Sequence, residues 1–100
     1  MRVVIAGAGS VGRSIASELL GNGHQVLLID RNPAAIRMDS VPDAEWLLAD
    51  ACEIASLAEA GLADCDVVVA ASGDDKVNLV VSLLAKTEYG VPRTVARVNN

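Results

Sequence analysis

The chain has 100 residues, of which 52% are hydrophobic and 2% aromatic, and its formal net charge is −5 at pH 7. This length suits one domain with a single core, and an acidic chain with so few aromatic residues argues against a nucleic-acid partner. No apolar run approaches the roughly 20 residues of a membrane helix, and no signal-peptide pattern opens the chain. Cys52 and Cys65 lack metal-ligand spacing, so we expect a cytosolic protein with reduced thiols.

The first part of the chain alternates strand and helix patterns. The apolar run Arg2–Ala6 predicts a buried strand. Apolar positions along one helical face predict a helix over Val11–Asn22, which the glycines at its end terminate. Gln25–Asp30 predicts the second strand, and Pro33 begins a short helix, where its missing N–H costs nothing.

The rest of the chain continues the alternation. The predicted elements are a strand over Ala44–Asp50, a helix over Glu53–Ala60, a strand over Asp66–Ser72, a helix over Asp75–Tyr89 and a strand over Arg93–Val98. This pattern predicts an α/β fold, a doubly wound (Rossmann-like) parallel sheet with strand order 3-2-1-4-5. Because a complete fold of this type adds another helix and strand, we expect residues 1–100 to be a fragment of a longer protein.

Three glycines follow the first predicted strand. Gly7 permits a tight turn, Gly9 lets the backbone approach a pyrophosphate, and Gly12 lets the helix pack closely on the sheet. The helix N-terminus then directs its free N–H groups toward the phosphates. The motif follows a strand, opens a helix and precedes an acid at the next strand end, so it predicts a dinucleotide site; the alternative is a turn without a ligand.

Asp30, at the end of the second predicted strand, is the acid that this motif requires. Its carboxylate would accept both ribose hydroxyls of an adenosine and repel a 2′-phosphate, which favours NAD(H) over NADP(H). Arg31 complicates this preference, because an arginine there can hold a phosphate or stack on adenine. Two alternatives stay open: Asp30 caps the helix at Pro33, or the ligand is ATP, ADP or AMP.

Other residues at the carboxyl ends of strands face the same crevice. Asp50 and Ala51 lie near the expected adenine edge, although Asp50 could instead cap the following helix. Ser72 and Gly73 end the fourth strand, where small residues allow ribose or phosphate to approach. Arg97, near the end of the fifth strand, could reach a phosphate or form a surface salt bridge.

No catalytic set can be assembled from the sequence. His24 lies in the turn before the second strand, at the end of the sheet opposite the crevice, and Tyr89 is not in a Tyr-x-x-x-Lys arrangement with Lys86. We therefore expect a protein that binds its ligand and catalyses no reaction on it.

The last helix carries two apolar stripes, which indicates deep burial or a partner subunit. One stripe combines Val77, Val80, Val81 and Leu84, and the other combines Leu79 and Leu83.

Four segments carry a resemblance to a known family: "VVIAGAGSVGRSIASELLGNGHQVLLID", "LLADA", "LAEAGLADCDVVVAASGDDKVNLVVSLLAK" and "GVPRTVARVNN". In this order they resemble the N-terminal domain of Trk/Ktr-type potassium-uptake regulatory proteins, the RCK (KTN) domain. The "GDDKVNLV" and "ARVNN" segments are more specific than the glycine loop. One departure is Ala49-Asp50, where the family often has Gly-Asp.

The resemblance implies site roles residue by residue. Gly7, Ala8, Gly9, Ser10 and Val11 would hold the phosphates and Asp30 the adenosine ribose. Asp50 and Ala51 would flank the adenine, Ser72 and Gly73 the middle of the ligand, and Arg97 the phosphates or the distal end.

The resemblance also implies a function. The protein would be a cytoplasmic regulatory subunit, peripheral to the inner face of the membrane, that binds NAD(H) or ATP/ADP and gates a membrane-embedded potassium transporter. It would act as a homodimer or a larger ring. Two rival interpretations stay open: the cofactor domain of an NAD-dependent dehydrogenase, and a nucleotide-dependent oligomerisation domain of another transport or redox-sensing protein.

Overall fold

Five parallel strands and three α-helices make up the regular structure of residues 1–99, the part of the chain that the computed structural model describes. The strands are β1 (Arg2–Ala6), β2 (Gln25–Asp30), β3 (Glu45–Leu48), β4 (Val67–Ala70) and β5 (Arg93–Ala96). The helices are α1 (Ser10–Gly21), α2 (Ile54–Glu59) and α3 (Asp75–Tyr89). Short 3₁₀ turns cover Pro33–Ala35, Met38–Ser40 and Leu62–Asp64. The sheet order is β3-β2-β1-β4-β5, which confirms the predicted fold class and strand order.

Several predicted boundaries were too generous. The helix predicted at Pro33 is a single 3₁₀ turn, and α1 begins one residue early because the carbonyl of Gly9 already accepts the N–H of Arg13. The strand predicted over Ala44–Asp50 is only four residues long, since Ala44 and Asp50, at its predicted ends, bond within local turns. β4, α2 and β5 are also shorter than predicted. α3 has the predicted bounds, and the Asp74 side chain caps it by accepting the N–H groups of Lys76 and Val77.

The sheet is buried on both faces, as a doubly wound fold requires. Alternating residues of β1 face opposite layers: Val3 and Ile5 pack toward α1, whereas Val4 and Ala6 pack toward α2 and α3. β3 and β5, at the two edges, are more exposed than the central strands. Because all five strands are parallel, their carboxyl ends meet at one edge of the sheet, around the glycine loop.

α3 buries only part of its apolar surface. Val81 and Ala85 are fully buried, but Leu79 and Leu83 are 68% and 57% exposed. Val80 was predicted in the same stripe as Val81, yet it is 39% exposed and lies beside the exposed leucines. Among residues 1–99, no helix is both long and apolar enough to cross a membrane.

Candidate functional site

The glycine loop is fixed by close packing at two of its three glycines. Gly7 has a φ of +114°, and a Cβ there would lie 2.7 Å from the backbone nitrogen of Ser72. A Cβ on Gly12 would overlap the carbonyl oxygen of Gly7. In contrast, nothing lies within 4 Å of the position of a Cβ on Gly9. Gly7 and Gly12 thus serve the tight turn and the close helix packing, whereas Gly9 faces open space where a ligand could approach.

The N-terminus of α1 opens beside this loop without a protein cap. Gly9 is the N-cap residue and provides no side chain, and the first turn carries no acidic residue. The first N–H groups of an α-helix have no partner inside the helix, and they form its positive end. Ser10 and Val11 therefore present N–H groups suited to an anion.

Asp30 is held against the glycine loop by backbone hydrogen bonds. Its Oδ2 accepts the N–H of Ala8 at 2.9 Å, and its Oδ1 accepts the N–H of Asn32 at 2.9 Å. The alternative that Asp30 caps the turn at Pro33 is wrong, because the Asn32 side chain accepts the Ala34 N–H in that role. Each carboxylate oxygen has two lone pairs, so Asp30 keeps acceptor capacity for hydroxyl groups.

A cavity of about 470 Å³ lies at the carboxyl edge of the sheet. Seven predicted site residues line it: Gly7, Asp30, Arg31, Asp50, Ala51, Ser72 and Gly73. The sequence analysis missed five further lining residues: Ala6, Ile29, Cys52, Asp74 and Val77. The other predicted residues are outside this lining: Ala8 and Gly9 border a second groove, and Ser10, Val11, Gly12 and Arg97 border neither. We call the 470 Å³ space the nucleotide cavity.

Asp50 and Cys52 line the nucleotide cavity. The Asp50 Oδ1 accepts the N–H of Cys52 at 2.9 Å in a local turn. The alternative that Asp50 caps α2 is wrong, because Glu53 is the N-cap residue. Burial, reinforced by the Asp50 carboxylate, raises the pKa of the Cys52 thiol above its ordinary value. Cys52 and Cys65 are both free thiols in the structure.

Asn78 joins the end of β4 to the end of β5. Only 1% of this residue is exposed. Its Oδ1 accepts the N–H of Ser72 at 3.0 Å, and its Nδ2 donates to the carbonyl oxygens of Ser72 and Arg97, both at 3.0 Å. Asn99 adds a bond to the Ser72 carbonyl and two to the Asp75 carboxylate. The sequence analysis missed Asn78. The available signal was its helical spacing from Val81 and Ala85, which places it on the buried face of α3.

Arg97 lies beside this network but outside the nucleotide cavity. Its N–H donates to the carbonyl of Ala70 at 2.8 Å, and its Nη1 lies 3.4 Å from the carbonyl of Ala71. The expected alternative of a surface salt bridge is wrong for residues 1–99, since the ion pair found there joins Arg2 to Glu45. Arg97 thus holds the backbone between β4 and β5 together.

The residues considered for catalysis lie away from the nucleotide cavity. The Nδ1 of His24 is 3.1 Å from the N-terminal nitrogen of Met1, at the amino edge of the sheet. The hydroxyl of Tyr89 donates to the carbonyl of Ile54 at 2.7 Å. Within the described part of the chain, no three His, Cys, Asp or Glu side chains group to hold a metal ion.

The fold and the arrangement of the glycine loop define the class of this domain: a Rossmann-like domain of the kind found in RCK proteins. Residues 3–100 match the model of the TrkA-N domain, and the chain belongs to the TrkA-N family. This confirms the resemblance given by the sequence segments.

Both sequence relatives and solved structures support this assignment. The chain is 58% identical over 100 residues to the Trk system potassium uptake protein TrkA of Mycobacterium tuberculosis; the match covers all of this chain and 46% of that relative. The chain thus spans just under half the length of that protein.

Among solved structures, the Kef CTD of Shewanella denitrificans in AMP-bound form aligns with a TM-score of 0.86 and 27% identity, covering 100% of this chain and 60% of that one. The GsuK RCK domain aligns with a TM-score of 0.82 and 26% identity, over 97% of this chain and 20% of that one. A UDP-galactose 4-epimerase, at 23% identity and a TM-score of 0.74 over 96% and 37% of the two chains, shares the fold alone.

Proposed function

We propose that this chain is the nucleotide-binding part of a cytoplasmic regulatory subunit of a potassium-uptake transporter. The observation that carries the proposal is the nucleotide cavity, which brings Asp30, the glycine loop and Ser72 to one edge of a TrkA-N fold. The name of the M. tuberculosis relative and the AMP bound to the Kef CTD support it.

The cavity suits an adenosine carried on phosphates. Ile29, Ala51 and Val77 supply apolar walls for an adenine ring, and Asp30 has acceptor capacity for ribose hydroxyls. The phosphates would then lie over Gly9 at the uncapped N-terminus of α1. NAD(H), ATP and ADP share these groups, and the ligand is one of them.

Control of transport follows from a difference in affinity between two states of the assembly. Hydrogen bonds of Asn78 connect Ser72 to Arg97 at the end of β5. A ligand that contacts Ser72 would therefore shift the end of β5. The exposed Leu79, Val80 and Leu83 on α3 would form the contact with a second copy in a dimer or ring. The transporter would respond to the change in shape of that assembly.

Titration calorimetry with NADH, NAD, ATP and ADP tests the binding step. We expect one of these ligands to bind well and Asp30→Asn to weaken it by about tenfold or more, since a charge-assisted hydrogen bond is lost. Asp43→Asn, which removes an exposed carboxylate away from the cavity, should leave affinity unchanged. Binding by none of the four ligands would contradict the proposal.

A rival function is the cofactor domain of an NAD-dependent dehydrogenase, which the dinucleotide motif and the fold shared with the epimerase favour. The two functions differ in what the bound nucleotide does. In a regulatory subunit, ligand exchange changes the assembly and its binding to transporter-containing membranes. In a cofactor domain it changes neither, and sedimentation of the chain with and without ligand separates them.

A further inference from the structure

A further groove lies at the amino edge of the sheet, opposite the nucleotide cavity. Its volume is about 280 Å³, and it separates the C-terminal end of α1 from the segment that leads into β3. Its lining side chains are two hydroxyls, three apolar groups and one carboxylate: Ser17, Ser40, Leu20, Val41, Pro42 and Asp43. We call it the α1 groove.

The α1 groove is electronegative. Within residues 1–99, the Asp43 carboxylate accepts no hydrogen bond and forms no ion pair. The negative end of the α1 dipole lies beside it, and the last turn of that helix carries no basic residue. At the same edge of the sheet, Arg2 already pairs with Glu45 at 3.7 Å, and the Met1 amine lies 3.1 Å from the Nδ1 of His24. The carboxylate in the groove is therefore left without a cation.

This lining suits the side chain of a lysine or an arginine. Both side chains carry their charge at the end of an aliphatic stem, which packs on apolar surface while the charged end stays polar. Leu20, Pro42 and the buried Val41 offer apolar contact for such a stem. Asp43 and the two hydroxyls can accept hydrogen bonds from its N–H groups.

The charge of the groove also indicates the kind of partner. Cytoplasmic loops of membrane proteins carry an excess of lysine and arginine, and a chain with a net charge of −5 attracts a basic surface. We propose that the α1 groove binds a lysine or arginine side chain from a cytoplasmic loop of the potassium transporter. The inference rests on the proposed function for this partner. Because the groove and the nucleotide cavity lie at opposite edges of the sheet, both can be occupied at once.

An NMR titration of the chain with a basic peptide tests the groove. The probe is an acetylated peptide with four Gly-Arg repeats, and its control replaces arginine by citrulline, which keeps the shape without the charge. We expect only the arginine peptide to shift the amide signals of Ser17, Gly21 and Asp43. Asp43→Asn should weaken its binding about threefold to fivefold. Asp64→Asn, which removes an exposed carboxylate from the same edge outside the groove, should not weaken it. Shifts confined to other surfaces, or an equal loss in both variants, overturn the inference.

Flotation with vesicles tests the partner. The probe is vesicles of neutral lipid that contain the potassium transporter of the same organism, and protein-free vesicles give the baseline. We expect the chain to float only with the transporter, with about threefold to fivefold weaker binding for Asp43→Asn and none lost for Asp64→Asn. Nucleotide affinity and thermal unfolding should be the same for both variants, so a loss of flotation would come from the groove.

The outcomes separate this inference from the proposed function. Flotation that Asp43→Asn leaves intact overturns the groove as the docking site, and the proposed function then stands. Absence of flotation with the transporter contradicts the proposed function itself. If the arginine peptide still shifts the groove signals in that case, the transporter is overturned as the occupant and another basic segment takes its place.

Discussion

Three hydrogen bonds join Asn78 and Ser72 at the end of β4: the Ser72 N–H and hydroxyl both donate to Oδ1, and the Asn78 Nδ2 donates to the Ser72 carbonyl. The same Nδ2 reaches the carbonyl of Arg97. A single buried amide therefore satisfies polar groups of two strands that border the site. Backbone groups that lose such a partner stay buried without a hydrogen bond, which is costly.

Asn78→Leu should destabilise the fold by about 2–4 kcal/mol, because the Ser72 N–H and the Arg97 carbonyl lose their partner, although the Ser72 carbonyl keeps its bond from Asn99. Urea unfolding measures the change. Asn22→Ala, at the exposed end of α1, is the matched control and should change the free energy of unfolding by less than about 0.5 kcal/mol. Equal stability of Asn78→Leu and the original chain would show that solvent satisfies these groups.

Alanine substitutions at Gly7 and Gly9 should have different effects, the first on stability and the second on nucleotide affinity. Gly7→Ala should destabilise by about 2 kcal/mol or more, because of the positive φ and the contact with Ser72. Gly9→Ala should leave stability nearly unchanged yet weaken nucleotide binding by about tenfold, since its Cβ would occupy space meant for the phosphates. Thermal unfolding and calorimetry on the same samples check both. Unchanged affinity of Gly9→Ala would place the phosphates elsewhere.

The rate at which the Cys52 thiol is alkylated should depend on pH, because Cys52 lines the nucleotide cavity and has a raised pKa. Its raised pKa means less thiolate at any given pH, so alkylation by iodoacetamide should be slow at pH 7 and should still be accelerating at pH 9. Asp50→Asn should lower the pKa and speed alkylation at pH 8, because the carboxylate is one cause of the shift. Mass spectrometry gives the rates at each pH.

A nucleotide in the cavity should protect Cys52 from alkylation. Cys65, which is buried elsewhere, provides the internal control, since its slow reaction should not respond to the ligand. Alkylation of Cys52 at the same rate with saturating nucleotide would show that the ligand lies away from this wall.

The exposed leucines of α3 predict an assembly. Leu79→Glu and Leu83→Glu should convert a dimer to a monomer in sedimentation velocity while leaving the fold intact, since both positions face solvent in the single chain. Ile54→Glu, an exposed apolar residue on α2, is the control and should not change the sedimentation coefficient. A chain that is monomeric at every concentration tested would rule out this face as sufficient for assembly.

The sequence predicts the elements and the glycine loop well, because each depends on local patterns: apolar periodicity, glycine placement and capping residues. It places Asp30 and Ser72 at one edge of the sheet, since parallel strands align their carboxyl ends. It cannot predict which backbone groups Asn78 joins, because those partners come from β4 and β5. The contact of Arg97 with a ligand stays a prediction; in the structure its Nη1 lies 3.4 Å from the carbonyl of Ala71.

The central position of β1 has a consequence for how the chain is made. The Arg2 N–H donates to the Asp66 carboxylate, 64 positions later in the chain. One edge of β1 pairs with β2, and the other edge pairs with β4. During synthesis from the N-terminus, β1 and β2 can pair early, but the other edge of β1 stays open until β4 has been made. Such an unpaired apolar strand edge is prone to aggregation. Slow translation between β2 and β4 should therefore lower the yield of folded protein.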